Sequence, residues 1–353
     1  MKKNVGDHGC TVQSLAMKVA LDCHVPFFLA HGGMQIQIEQ TLRSLREIGV
    51  EATPLPWWEE SFSPEIIHFF GKPSLSYVGW ARQKKIRLVV ADLLTAQGSR
   101  NFLQRAPFQF LCFLDRFFGG RIRQRLGWAV YDAADCCVCL TPWEASLIRD
   151  MYGAHRARLE VVPNGVEEVF LRHGPESSRA DHLVTTVTIT QRKRVLELVE
   201  AAALAQVKVR IIGKPYQESD PYFLQFLDGL KKAQPWVDYR GPITDRSQLC
   251  KEYRMAKGFV LLSAMESQSL SALEAAACGC PLLLTDLPWA RVSFGEQASY
   301  CPLTGPRQTA PYLRKFLDNA SAAPVPQGVL SWRQVAQRLT SLYQELLSSK
   351  VRV

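Results

Sequence analysis

The feature that most constrains this chain is a regular exchange of short β-rich runs and amphipathic helical stretches along nearly its whole length. In the first half, strand-like runs fall at 17–22, 50–54, 65–69, 86–91, 136–140 and 158–162, with helical periodicity clearest over 35–48 and 142–151. In the second half they fall at 183–190, 207–212, 237–240, 258–263 and 281–285. Strands separated by helices pair through crossovers, so the pattern predicts parallel sheets covered on both faces. A length of 353 residues is enough for two domains of roughly 150 residues each. The polar, Gly- and Pro-bearing stretch 171–180 is the expected linker. The fold class expected is α/β: two Rossmann-like domains, residues 1–172 and 173–330, with parallel sheets facing a central cleft. A helix over 331–353, opened by Ser331, follows and is expected to pack back towards the first domain. Residues 1–16 precede the first strand-like run and read as a loose extension, so that Met17 is a second candidate for the true start.

Apolar content of 47% and charged content of 21% are those of an ordinary folded protein and leave little room for long disordered tracts. Among the ten cysteines, Cys136, Cys137 and Cys139 sit close together. Neighbouring strand residues point to opposite faces, so these three cannot converge on one metal ion and read as buried thiols. Cysteine usage of this kind suits a reducing cytoplasm. Net charge is +9, divided as +2 over residues 1–176 and +7 over 177–353. A basic second half suits a diphosphate ligand, and equally a weak attraction to nucleic acid or anionic lipid. No nucleic-acid recognition motif accompanies the charge, so nucleic acid is not an expected partner.

Ligands of open α/β sheets sit beyond the C-terminal strand ends, and the sequence concentrates its unusual residues there. From Ser263, a buried run passes into a polar loop holding Glu266, Ser267, Gln268, Ser269 and Leu270, then a small-residue helix containing Glu274 and closed by Gly279. The expected helix start is near Ser271. A helix N-terminus at a strand end offers unpaired N–H groups to an anion. Two carboxylates beside it suit neutral hydroxyls, and the combination points to a nucleotide sugar. Glu274 has a structural alternative, because Ser271-x-x-Glu274 is a capping box; Glu266 has none. A second segment ends a strand at Thr188 to Thr190 and then offers Arg192, Lys193 and Arg194 at a helix start, where cations oppose the dipole and an anion would relieve them.

These segments resemble the retaining GT-B glycosyltransferases of family 4, in which Glu, seven residues and Glu precede a small-residue helix and Gly-x-Pro, as Glu266, Glu274 and Gly279-Cys-Pro281 do here. The resemblance implies that Glu266 contacts the transferred sugar, that Glu274 holds the ribose hydroxyls, and that the amides of Ser267 to Leu270 meet sugar and diphosphate. It implies that Lys193, with Arg192 standing in for an arginine the family places at Thr188, grips the diphosphate. Gly213 and Gly241 match its glycine turn and its base-contacting segment. Gly32 and Gly33 match its Gly-Gly loop, His68 its strand ending in His (a packed or capping histidine is an equal reading), and Asn164-Gly165 its interdomain segment. Asp92 stands where many relatives carry an active-site His, and Ser267-Gln-Ser269 where many carry Gly-Phe-Gly. The implied substrates are a nucleotide-diphosphate sugar donor and a glycan or lipid-linked acceptor hydroxyl, with no cofactor and no essential metal.

Other readings stand beside that one. A catalytically inactive relative acting as a partner-binding subunit would explain Thr188, Asp92 and the Gly-poor loop. Sugar-nucleotide epimerisation is a third. The stretch from Phe108 to Trp128, aromatic and carrying Arg116, Arg121, Arg123 and Arg125, could lie peripherally on the inner face of an anionic membrane. It could equally be a half-buried helix with an arginine-bearing outer face.

Overall fold

The computed structural model describes residues 17–27, 32–100, 102–115, 117–172 and 179–349. The extension 1–16, His31, Arg116 and most of the expected linker lie outside these described residues. Six strands of the first half, β1 (Lys18–Cys23), β2 (Glu51–Pro54), β3 (Ile66–Phe70), β4 (Arg87–Ala91), β5 (Cys136–Cys139) and β6 (Leu159–Val161), form one parallel sheet in the order β2-β1-β3-β4-β5-β6. A two-residue strand β7 (Gly165–Val166) follows. A second parallel sheet contains β8 (Ala180–Thr186), β9 (Val209–Ile212), β10 (Val237–Tyr239), β11 (Ala256–Leu261), β12 (Leu282–Thr285) and β13 (Ser299–Cys301), in the order β10-β9-β8-β11-β12-β13. Strand β14 (Leu330–Ser331) pairs with β7. The architecture is two parallel-sheet α/β domains, as the strand–helix alternation requires.

Helices cover both faces of the first sheet with apolar side chains. One face holds Val19, Leu21, Ile66 and Val89; the other holds Ala20, Ile67, Phe69, Leu88 and Val90. Successive strand residues thus supply opposite cores, as the pleat dictates. The first of these cores also contains Trp332, Val335, Leu339, Leu342, Tyr343 and Leu346 from the Trp332–Ser348 helix. Ser331 caps that helix through a full capping box with Gln334. The C-terminal segment therefore leaves the second sheet and completes the core of the first. Gly165 is where it crosses: a Cβ there would lie 2.6 Å from Trp332 N, so only glycine permits the approach.

Two details depart from the sequence expectation. Strand β8 ends at Thr186 instead of running to 190, yet the chain stays extended and bonded, with Val187 N on Ile212 O at 2.9 Å and Ile189 N on Lys214 O at 3.0 Å. The apolar alternation marked this continuation correctly, but its partners there are the last residue of β9 and the loop beyond it. Strand β13, Ser299-Tyr-Cys301, has three residues and no apolar run to announce it. Cys136, Cys137 and Cys139 are all buried within β5, and burial raises the Cys137 and Cys139 thiols.

Candidate functional site

In each sheet the strand order reverses direction once, between β1 and β3 in the first and between β8 and β11 in the second. The loops leaving such neighbouring strands diverge to opposite faces and open a crevice at the carboxyl ends. Lys193 lies in the loop after β8 and Glu266 in the loop after β11, so the topology brings them together across 73 residues of sequence. Lys193 Nζ donates to Glu266 Oε1, and Arg192 Nη1 lies 3.7 Å from the same oxygen. The Lys193 and Glu266 side chains are 12% and 9% exposed. Burial lowers the Lys193 ammonium and the Glu266 charge opposes that shift. One backbone bond and one side-chain bond hold the two loops in register, since Arg192 O accepts from Ala264 N at 2.8 Å and Arg192 Nη1 donates to Met265 O at 3.0 Å.

The helix after the Glu266 loop spans Leu270–Ala277 and is capped by Ser269, whose Oγ accepts from Ala272 N. This corrects the expected start at Ser271: the cap lies two residues earlier, and Glu274 falls too deep in the helix for a capping box. Its side chain has another task. Glu274 is 6% exposed; Oε1 accepts from Arg246 Nη2, and Oε2 accepts from the Tyr253 hydroxyl at 3.1 Å. Arg246 also donates to Glu167 at 2.7 Å, and its guanidinium lies 4.8 Å from the centre of the Phe170 ring. Burial raises the Glu274 carboxyl, with Arg246 the main opposing influence. Nothing in the sequence pattern around Arg246 or Tyr253 announces this arrangement, because both lie on the Arg246–Met255 helix, separate from the one that carries Glu274.

From the first half, Gly32 caps the Gly33–Glu47 helix without a side-chain bond, at a φ of 148°. A Cβ on Gly33 would lie 3.9 Å from Leu270 Cδ1, so the N-termini of two helices converge on one place. Neither has an acidic residue in its first turn. Their unpaired amides and dipoles make a favourable setting for an anion. Three further bonds cross between the halves. Ser99 Oγ accepts from Glu266 N at 3.3 Å, Ser267 Oγ is 3.0 Å from Thr95 Oγ1, and Gln268 Oε1 accepts from Asn164 N at 2.8 Å. The loop that lacks glycines therefore uses its side chains as cross-links.

Gly213 lies at the end of β9 with φ at 147°, its N donating to Gly241 O at 2.9 Å. A Cβ on Gly213 would lie 1.8 Å from Val187 O, which explains the glycine by close backbone approach. Gly241 has φ at 68°. His68 is placed in the interior: it is 1% exposed, stacks on Phe70, and its Nδ1 lies 2.6 Å from the Tyr343 hydroxyl of the C-terminal helix. Burial holds its imidazole down at about 3, so it is neutral. His68 and Asn164 line one small cavity, and His68 Nε2 and Asn164 Oδ1 have no partner there. His68 thus has packed surroundings, because side chains on this face of β3 meet the C-terminal helix. Asp92, just after β4, accepts from the Tyr131 hydroxyl at 2.6 Å, and burial raises its carboxyl.

Comparison with known proteins agrees with the two-sheet fold. Residues 181–319 match the family model described as glycosyl transferases group 1, and residues 40–169 match glycosyltransferase family 4. A D-inositol 3-phosphate glycosyltransferase of Gordonia bronchialis is 31% identical over 181 residues, which are 45% of this chain and 39% of that protein. One from Acidothermus cellulolyticus is 26% identical over 250 residues, covering 63% of this chain and 55% of the relative. The alignments thus span about half the length of these curated relatives. Among solved structures, a sucrose-phosphate synthase from Thermosynechococcus elongatus superposes with a TM-score of 0.69 at 18% identity, covering 94% of this chain and all of that one. Anabaena HepE in complex with UDP gives 0.65 at 12% identity over 93% of this chain and 100% of its own. With one glycosyltransferase model on each half and a shared two-sheet architecture, the chain belongs to the GT-B glycosyltransferases of family 4.

Proposed function

We propose that this protein transfers a sugar from a nucleotide-diphosphate sugar to an acceptor hydroxyl, with retention of anomeric configuration, in the synthesis of a glycan, polysaccharide or glycolipid. The observation that carries the reading is the Lys193–Glu266 pair, set at the strand ends beside two converging helix N-termini. An ammonium has three donors, so Lys193 can keep Glu266 and still offer two to a diphosphate. Arg192 adds a second cation. Glu266 is then held in place to accept from hydroxyls of the transferred sugar. Glu274, locked by Arg246 and Tyr253, retains lone pairs for ribose hydroxyls, while the amides of Ser267 to Leu270, Gly32 and Gly33 face the diphosphate. Gly213 and Gly241 shape the nucleotide end.

In this mechanism the acceptor oxygen bonds to the anomeric carbon on the face from which the phosphate oxygen leaves. The acceptor proton passes to that departing phosphate. Lys193, Arg192 and the helix dipoles stabilise the charge that develops on the diphosphate, which removes the need for a bound metal or cofactor. The test is a panel of nucleotides and nucleotide sugars in thermal-shift assays, followed by transfer assays with the stabilising donor. Glu266→Gln is expected to remain folded, retain nucleotide binding and lose turnover by about 10²–10³-fold. Turnover within a fewfold of wild type would defeat the assignment. The inactive-subunit reading predicts instead that no nucleotide diphosphate in the panel raises the melting temperature.

A further inference from the structure

The stretch from Phe108 to Trp128 is not a single half-buried helix with an arginine-bearing outer face. The Phe102–Asp115 helix leads through a turn into the short Arg121–Arg125 helix. Its inner side is well anchored. Phe108 packs at 6.1 Å from Trp128, Cys112 Sγ donates to Met151 O, and Arg123 pairs with Asp132 at 2.7 Å. Its outer side carries large apolar groups: Leu103 (79% exposed), Phe110 (59%), Phe113 (51%), Phe117 (74%), Phe118 (56%) and Leu126 (41%). Spacings of seven and three put Leu103, Phe110 and Phe113 on one helix face, and Phe117 and Phe118 extend that face through the turn. A hairpin so firmly packed on one side has no internal reason to display aromatics on the other. Contiguous exposed apolar surface of this kind marks an interaction site.

Charge identifies the partner. Between residues 102 and 128 the only acidic side chain is Asp115, which is buried and accepts from Ile122 N at 2.7 Å. Arg121 and Arg125 are exposed beside the aromatic face. Apolar groups flanked by cations, with no accessible anion, match the interface of an anionic bilayer. No helix among the described residues is long and apolar enough to cross a membrane, so the contact is peripheral. The hairpin also adjoins the first sheet's carboxyl edge: Lys72, just after β3, donates to Leu126 O at 3.3 Å.

We infer that the hairpin formed by residues 102–128 seats this protein on an anionic lipid surface, bringing the first-domain end of the cleft to lipid-linked acceptors. The acceptor half of this inference rests on the transferase reading; the membrane contact stands without it. The experiment is co-sedimentation of the full chain with vesicles of phosphatidylcholine alone, and of phosphatidylcholine with about one-third phosphatidylglycerol. Wild type is expected to sediment with the anionic vesicles, and less as salt rises. Combined Phe110→Ser, Phe113→Ser and Phe117→Ser should weaken binding by about tenfold or more. Combined Arg121→Glu and Arg125→Glu should weaken it by about fivefold or more per arginine. Both variants should keep the wild-type melting temperature and the wild-type response to nucleotide, which separates loss of docking from loss of fold or of the donor site. Absence of wild-type binding to anionic vesicles would overturn the inference, as would variants that bind like wild type. So would a wild-type dimer dissolved by the phenylalanine substitutions, since the face would then join two copies of the chain.

Discussion

Lys193 experiences two opposed influences: removal from water disfavours its charge, and the Glu266 carboxylate restores part of it. The net direction is downward from the ordinary lysine value of 10.5. A group needed as a cation then loses its function at lower pH than a free lysine would. The pH profile of kcat/KM for the donor should therefore fall on its alkaline side before pH 10.5 is reached. Lys193→Arg should move that limb upward, because a guanidinium stays charged throughout, and Lys193→Met should cost about 10²–10³-fold at neutral pH. A limb unmoved by Lys193→Arg would assign it to another group. Glu274 presents the opposite sign. Its carboxyl is raised above 4.5 by burial, so the folded state holds a proton that the unfolded state has released. Stability from that proton is complete below the ordinary value and disappears as pH rises through the raised one. Wild type should thus lose stability relative to Glu274→Gln as pH rises from the ordinary carboxyl value of 4.5 through the raised one, even though the Gln variant binds nucleotide more weakly. Urea unfolding of both proteins across this range measures the difference, and parallel curves would refute the assignment.

At the scale of elements, strand ends explain where the site forms, and Gly213 is the clearest case. Its absent Cβ makes room for Val187 O, and Gly213→Ala should destabilise the second domain by about 3 kcal/mol or more through overpacking and a poor backbone region. A shift under about 1 kcal/mol in urea unfolding would mean that the turn relaxes easily. Strands and glycine turns of this sort are legible in a sequence because local alternation and local sterics produce them. The seven-residue interval between Glu266 and Glu274 is legible for the same reason, and the α/β architecture follows from periodicity. Long-range matters are not. The cap at Ser269 instead of Ser271 depends on how the loop meets the first domain, where Ser267 and Gln268 find Thr95 and Asn164. His68 reads as a strand-end histidine until the C-terminal helix, 275 residues away, supplies Tyr343. Arg246 and Tyr253 show no periodic signal that would tie them to Glu274. The outer face of the Phe102–Asp115 helix was ambiguous because spacing defines a stripe without saying whether it faces the core or the solvent.

For the whole molecule, two kinds of connection join the halves, and they differ in permanence. The Trp332–Ser348 helix fills the first domain's core with seven buried residues, so it is a lasting attachment. The donor-loop contacts are few and polar: Glu266 N to Ser99, Ser267 to Thr95, and Asn164 N to Gln268. Each such bond contributes about 0.5–1.5 kcal/mol net, enough together to favour a closed cleft without locking it. On the proposed function the cleft admits a nucleotide sugar and releases a nucleotide, and it gains from a balance of this size. Thr95→Val with Gln268→Ala removes two of these bonds and leaves Glu266, Lys193 and the C-terminal helix untouched. The expected result is a larger radius of gyration by solution X-ray scattering in the unliganded variant, restored to the wild-type value by saturating nucleotide. Donor KM should rise by about threefold to tenfold, because part of the binding energy now closes the cleft, while kcat at saturation changes little. If the unliganded variant scatters as wild type does, the closed arrangement is held by the remaining contacts, among them the C-terminal helix, the Gly165 crossing and the packing of the Pro142–Asp150 helix on the Pro288–Phe294 helix.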